Sequence, residues 1–137
     1  WGTIVVMDLD RFGEYVEEHG LDPYRPNDVT ATLTRLVEEL ARRRGGFIVY
    51  GLDPDRGTEE AVIEFPLTEP EELREDLERI LGEIKRLGAS ITIVAVKAPV
   101  TGRPARDRRE AYSGPRRGAK RLLERAKRRG GGLLILA

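Results

Sequence analysis

The stretch Thr3-Ile4-Val5-Val6-Met7-Asp8-Leu9-Asp10-Arg11-Phe12 decides the fold. Thr3 to Met7 are all β-favouring or apolar, which predicts a buried central strand. Two carboxylates one residue apart stand where that strand ends. Side chains alternate along a strand, so Asp8 and Asp10 are expected on one side, where a sheet hands its chain to a helix. A lone carboxylate beside so apolar a strand is costly to desolvate, and a hard, oxygen-seeking divalent cation would offset that cost. The same Asp-x-Asp pattern also occurs as a helix cap with a solvated neighbour. From these residues alone both readings stand.

Around this strand, the 137 residues amount to about one average domain, expected to span 1–137 with a real core. The chain begins at Trp1 without a methionine, which fits a segment excised from a longer protein. Cysteine is absent, so disulfides, thiolate zinc sites and cysteine nucleophiles are excluded, and a reducing, cytoplasmic setting is expected. His19 is the only histidine, which excludes a multi-histidine metal site and argues against a serine triad. No apolar run reaches the ~18 residues that span a bilayer, so no membrane partner is expected. Charged residues make up 35% of the chain, glutamine is absent and Asn27 is the sole asparagine, a pattern that leans towards a heat-adapted source.

Net charge is zero but unevenly spread. Residues 1–102 hold 12 basic and 21 acidic side chains, net −9, whereas residues 103–137 hold 12 basic and 3 acidic, net +9. The C-terminal part is the natural seat for an anion such as a phosphate chain, unless the two halves simply neutralise each other across the surface.

Punctuation along the chain predicts the remaining elements. A short helix over Arg11–Glu18 closes at Gly20. Asn27 or Asp28 caps a longer one, with Val29, Leu33, Leu36, Val37, Leu40 and Ala41 at helical steps and Arg42, Arg43 and Arg44 before Gly45-Gly46. Phe47–Tyr50 and Ala61–Phe65 read as a hairpin around an acidic loop. Thr68 and Glu71 read as a capping box for a helix ending at Gly88, and Ser90–Ala98 as a further strand. Thr101–Pro115 is Arg-rich without an apolar period and is expected to be an exposed loop. A third long helix from Pro115, with Ala119, Leu122, Leu123 and Ala126 inward, ends at Gly130-Gly131-Gly132 before a short strand at Leu133–Leu136. The order β-α-β-β-α-β, then α-β, with strands this apolar, implies an α+β layer fold.

In that order, Asp8-Leu9-Asp10-Arg11-Phe12 resembles the Asp-Ile-Asp-x-Phe motif of the diguanylate-cyclase (GGDEF) branch of the nucleotidyl-cyclase and polymerase-palm superfamily. Gly57-Thr58-Glu59-Glu60-Ala61-Val62-Ile63-Glu64-Phe65-Pro66 is similar to its Gly-Gly-Asp-Glu-Phe-Ala-Val-Leu-Leu-Pro, and Ala126-Lys127-Arg128-Arg129-Gly130 to its closing Ala-Lys-x-x-Gly. The resemblance covers nearly the whole chain and equally suits smaller cyclase-like palms, such as the minimal polymerases associated with CRISPR loci or the archaeal GTP cyclohydrolases. It implies a divergent, archaeal-type member with a ferredoxin-like palm (βαββαβ) plus an extra C-terminal helix and strand. It also implies Mg²⁺ or Mn²⁺ as cofactor and a nucleoside triphosphate as substrate, for nucleotidyl transfer or cyclisation. Asp8, the Leu9 carbonyl and Glu59, with Glu60 beside it, would hold metal, and Asp8 and Glu59 would be catalytic. An alternative register over Tyr50-Gly51-Leu52-Asp53 nominates Asp53. Lys127 and Arg128 would bind phosphate.

Departures from the motif bear on substrate recognition more than on metal. Val16 stands where the cyclases carry asparagine for guanine, Thr58 or Leu52 breaks the glycine pair, and Gly131 replaces an arginine. Such losses also suit a catalytically silent module that binds a nucleotide or a partner protein. A homo-oligomer is expected only if two substrates must meet. Nucleic acid is disfavoured as a partner, because runs such as Arg42-Arg43-Arg44-Gly45 and Arg128-Arg129-Gly130 are what helix C-termini favour and aromatics are few and scattered; an RNA-binding ferredoxin-like domain using the basic C-terminal segment stands as a third reading, with affinity that falls steeply with salt.

Overall fold

In the computed structural model, which describes residues 1–137, the opening stretch becomes β1 (Gly2–Leu9), the middle strand of a five-stranded mixed sheet. The strand order is β2-β3-β1-β4-β5, with β2 at Phe47–Tyr50, β3 at Glu60–Pro66, β4 at Ile91–Ala98 and β5 at Leu134–Leu136. Every neighbouring pair is antiparallel except β4 with β5. Five helices complete an α+β fold: α1 (Phe12–Glu18), α2 (Asp28–Arg44), α3 (Arg74–Arg86), α4 (Arg108–Ala111) and α5 (Arg116–Arg128). None is long and apolar enough to cross a membrane.

The continuous apolar run of β1 has a simple cause, since both faces of the sheet are covered. Val5, Met7 and Leu9 point into a core with Leu33, Val37 and Leu40 of α2 and Leu77, Ile80 and Ile84 of α3. Ile4 and Val6 point the other way, into a second core with Val62, Val94, Tyr112 and, from α5, Ala119 and Leu123. Burial of apolar surface on two faces is the dominant stabilising contribution in such a layer. Only Asp8, near the end of the strand, stays half-buried.

The long helix is bounded as expected. Asn27 accepts hydrogen bonds from the amides of Val29 and Thr30, and Gly45 ends the helix at φ +67°. The anticipated box at Thr68 and Glu71 is displaced by one residue. Glu72 instead accepts from the Glu69 amide at 2.7 Å, opening a 3₁₀ turn (Pro70–Leu73) ahead of α3, while Thr68 donates to the Pro66 carbonyl. Pro70 takes the first position of that turn, where its missing N–H costs nothing.

The larger difference lies between Thr101 and Pro115, which is not simply an exposed loop. It contains α4, buries Ala111 and Tyr112, and is pinned by a charge inside the second core. Glu64 of β3 is fully buried, and its Oε1 accepts from the amides of Thr101 and Gly102 at 2.9 and 2.8 Å. Arg116 donates from Nη1 to Glu64 Oε2 at 2.9 Å, and from Nε and Nη2 to the carbonyls of Ala111 and Glu110. Tertiary polar contacts, absent from any hydrophobic period, hold this segment in place.

Candidate functional site

The strand ends converge at Asp8. In the β1–β3 ladder it lies directly across from Glu60, and directly opposed residues project to the same face. Glu60 is engaged from the α4 side: Arg108 Nε donates to both carboxylate oxygens at 3.1 Å, and the Tyr112 hydroxyl donates to Oε1 at 2.6 Å. Glu59 precedes it at the hairpin end, where its carbonyl accepts from the Leu9 amide.

Asp10 is the most tightly held carboxylate of the group. Ser90 and Thr92 donate to it at 2.6 and 2.7 Å, and the Gly132 amide donates at 2.8 Å. Gly131 makes room for it: at φ +67° a Cβ there would stand 2.7 Å from the Asp10 carboxyl. Asp10 therefore ties the β5 end of the chain to the end of β1.

Lys127 joins the two aspartates. Its ammonium lies 3.0 Å from Asp8 Oδ2, 3.2 Å from Asp10 Oδ1 and 2.9 Å from the Leu9 carbonyl, to which it donates. One cation touching both carboxylates agrees with Asp8 and Asp10 projecting to the same side. The lysine nominated as a phosphate ligand is thus seated on the oxygens nominated for metal.

Burial pushes the Asp8 carboxyl above its ordinary range against the pull of Lys127, with Glu60 adding to the rise. Burial likewise raises Glu59, helped by the charges of Asp8 and Glu60. For Asp10 burial acts upward too, but the hydrogen bonds from Ser90, Thr92 and Lys127 outweigh it and hold the group below its usual value. Burial and the hydrogen bond to Glu60 keep the Tyr112 phenol protonated far into alkali.

A pH profile follows from these directions. Asp10 contributes stability that is complete above its unfolded pKa, about 3.8, and lost as pH falls through its lower folded value. Asp8 and Glu59 act oppositely: their cost is complete at neutral pH and is relieved as pH falls through their raised values. Urea unfolding is expected to show wild-type stability gaining on Asp8→Asn as pH is lowered from 7 to about 4. Asp10→Asn is expected to weaken the steep loss below that.

Two clefts flank the carboxylates. One, of about 360 Å³, lies between α1, the start of α2 and the hairpin, and is lined by Phe12, Val16, Leu21, Asn27, Arg56 and Glu59 among others. The other, of about 370 Å³, lies between Asp8, α4 and α5, where Arg108, Lys120, Lys127 and Arg128 give it a cationic wall. The first has the mixed lining of a small-molecule pocket, and the second suits an anion.

The chain matches no family model. A comparison with curated proteins finds no match either.

Of the nominated residues, Asp8, Leu9, Glu59, Glu60, Lys127 and Arg128 come together at this end of the sheet. Asp53 is turned instead to its own loop, where Oδ1 accepts from the amides of Asp55 and Arg56. No three carboxylate or histidine side chains stand close enough to hold a metal ion by themselves. Arg108, Tyr112, Ser90 and Thr92 were missed in the sequence because each reaches the site from a distant element. Glu64 had a signal, a charge at an inward position of an apolar strand.

Proposed function

We propose that the chain is a divergent member of the GGDEF-type nucleotidyl-cyclase and palm superfamily, acting on a nucleoside triphosphate by Mg²⁺-dependent nucleotidyl transfer or cyclisation. The observation that carries this reading is that Asp8, Glu59 and Glu60 stand between a partly apolar cleft and a cationic one. A nucleotide has the same asymmetry, with a base at one end and phosphates at the other. The antiparallel order β2-β3-β1-β4, drawn from a β-α-β-β-α-β run, supports a ferredoxin-like palm to which α5 and β5 are added.

The donor set fits a hard cation. Asp8, the Leu9 carbonyl and Glu59 offer oxygen only, and the Lys127 ammonium already occupies a cation's position on Asp8, Asp10 and Leu9. Mg²⁺ is commonly held by one or two carboxylates completed by substrate phosphates, so the lack of an all-protein cage agrees with this chemistry. A bound ion there would neutralise charge developing on phosphate oxygens. In this reading Arg108 and Tyr112 fix Glu60, Arg128 receives a phosphate, and Lys127 exchanges its carboxylates for phosphate oxygens when substrate arrives. Val16 in the first cleft supplies no hydrogen bond, so guanine selection through an asparagine does not carry over.

One observation favours a second reading, a silent module that binds nucleotide without turnover: Lys127 and Arg108 already neutralise Asp8 and Glu60. Calorimetry with Mn²⁺ and a non-hydrolysable triphosphate tests both. Metal-dependent binding that weakens at least about tenfold in Asp8→Asn, together with pyrophosphate release from ordinary triphosphates, is expected. Binding without release assigns the silent module, and absence of Asp8-dependent binding overturns the proposal.

A further inference from the structure

The cationic cleft does not stop at the carboxylates. It continues into a second groove of about 520 Å³ between α4 and α5, sharing Arg108, Tyr112, Lys120 and Glu124 with the first and adding Arg109, Arg117 and Arg121. On α5 the cationic positions Arg117, Lys120, Arg121 and Arg128, with Glu124 between them, recur at helical steps and form one stripe. From Arg117 to Arg128 that stripe runs about 16 Å at 1.5 Å per residue. A triphosphate held at Lys127 and Arg128 would cover only its end.

These cations are also uncompensated. In residues 1–102 six of the ten arginines have a carboxylate partner, among them Arg43 and Arg44 on Asp76 and Arg74 on Glu71 and Glu78. Within the 103–137 segment only Arg106, Arg108, Arg116 and Lys127 have a carboxylate partner; Arg109, Arg117, Lys120, Arg121 and Arg128 have none. Glu124 is the sole acid in the groove. Massed like charge without partners opposes compact folding and is offset when an anionic chain lies along it.

We propose that the α4–α5 groove binds the phosphodiester backbone of a single-stranded nucleic acid. The reading of Arg runs as helix endings does not apply here, because Arg117, Lys120 and Arg121 lie in the first half of α5. A membrane surface fits less well: the cations line a concave groove, and its only aromatic, Tyr112, is buried with Arg108 and Lys120 over its ring. The same burial removes a stacking platform, so recognition runs through phosphate and is indifferent to sequence.

Fluorescence anisotropy of a labelled ten-nucleotide RNA and its DNA counterpart, in EDTA and between 50 and 200 mM salt, tests this. A plot of log affinity against log salt is expected to slope by about −2 to −3, as for three or four neutralised phosphates at roughly −0.7 each. RNA binding tighter than DNA names RNA as the source, and equal binding assigns backbone recognition alone; both support the groove. The triple reversal of exposed Arg117 and Arg121 and half-buried Lys120, Arg117→Glu, Lys120→Glu, Arg121→Glu, is expected to weaken binding at least about tenfold, with unfolding transitions showing that the fold persists. Arg42→Glu, Arg79→Glu, Lys85→Glu changes charge equally elsewhere and is expected to leave binding intact. These measurements run in EDTA, with no metal bound, so failure of the nucleotidyl-transfer reading and failure of this one are distinguishable. No oligonucleotide binding, equal weakening by both triples, preference for duplex, or binding to phosphatidylserine vesicles in place of oligonucleotides overturns the proposal.

Discussion

Arg116→Met is expected to lower the unfolding free energy by about 3–5 kcal/mol, because it leaves the buried Glu64 carboxylate without its cation. Glu64 is fully enclosed and Arg116 is 5% exposed, so water cannot replace the lost partner. Thr101 and Gly102 would still donate to Glu64, but backbone amides carry no net charge to offset a buried carboxylate. Thermal unfolding would report a drop of about 10–20 °C for a domain of this size. Glu64→Leu with Arg116→Met is expected to recover most of it, since apolar replacement of a buried ion pair is often neutral or better. A single variant that unfolds within about 1 kcal/mol of wild type would sink this account. The loss also reaches the site: Arg116 holds the carbonyls of Glu110 and Ala111, and α4 carries Arg108 to Glu60.

Lys127→Met is expected to raise the affinity for Mn²⁺ alone by about tenfold to a hundredfold. In the wild type an incoming cation must displace the ammonium from Asp8, Asp10 and the Leu9 carbonyl, and charge-assisted hydrogen bonds contribute about 1.5–3 kcal/mol. Methionine has similar reach and no charge, so the same oxygens would be open to metal. Triphosphate binding in the presence of metal is expected to move the other way, because a phosphate ligand is lost. Calorimetry with metal alone and with metal plus analogue separates the two effects. Unchanged Mn²⁺ affinity would mean that Lys127 does not occupy the metal's position.

The two ends of the site differ in how far the sequence revealed them. Asp8 and Asp10 were legible because a strand's period is two and the apolar run marks where it ends. Glu59 and Glu60 were legible through the hairpin that returns to β1. Asp53, the alternative, has an oxygen engaged in its own loop, where it accepts from the amides of Asp55 and Arg56. Arg108 and Tyr112 had no sequence signal, since α4 is four residues long and has no period to detect. Ser90 and Thr92 read in the sequence only as parts of a strand, and their donation to Asp10 is a tertiary contact.

Local chemistry was enough to predict the α+β order, the central position of β1, the caps at Asn27 and Gly45, and which strand ends carry acids. Each depends on neighbours a few residues apart, through strand alternation, helical spacing and backbone conformation. Tertiary structure decided the rest: the docking of residues 101–115 on Glu64, the seating of Lys127 on two aspartates, and the cationic groove between α4 and α5. The pairings of Arg116 with Glu64 and of Lys127 with Asp8 join groups 52 and 119 residues apart in the chain, and burial, not sequence spacing, sets their strength.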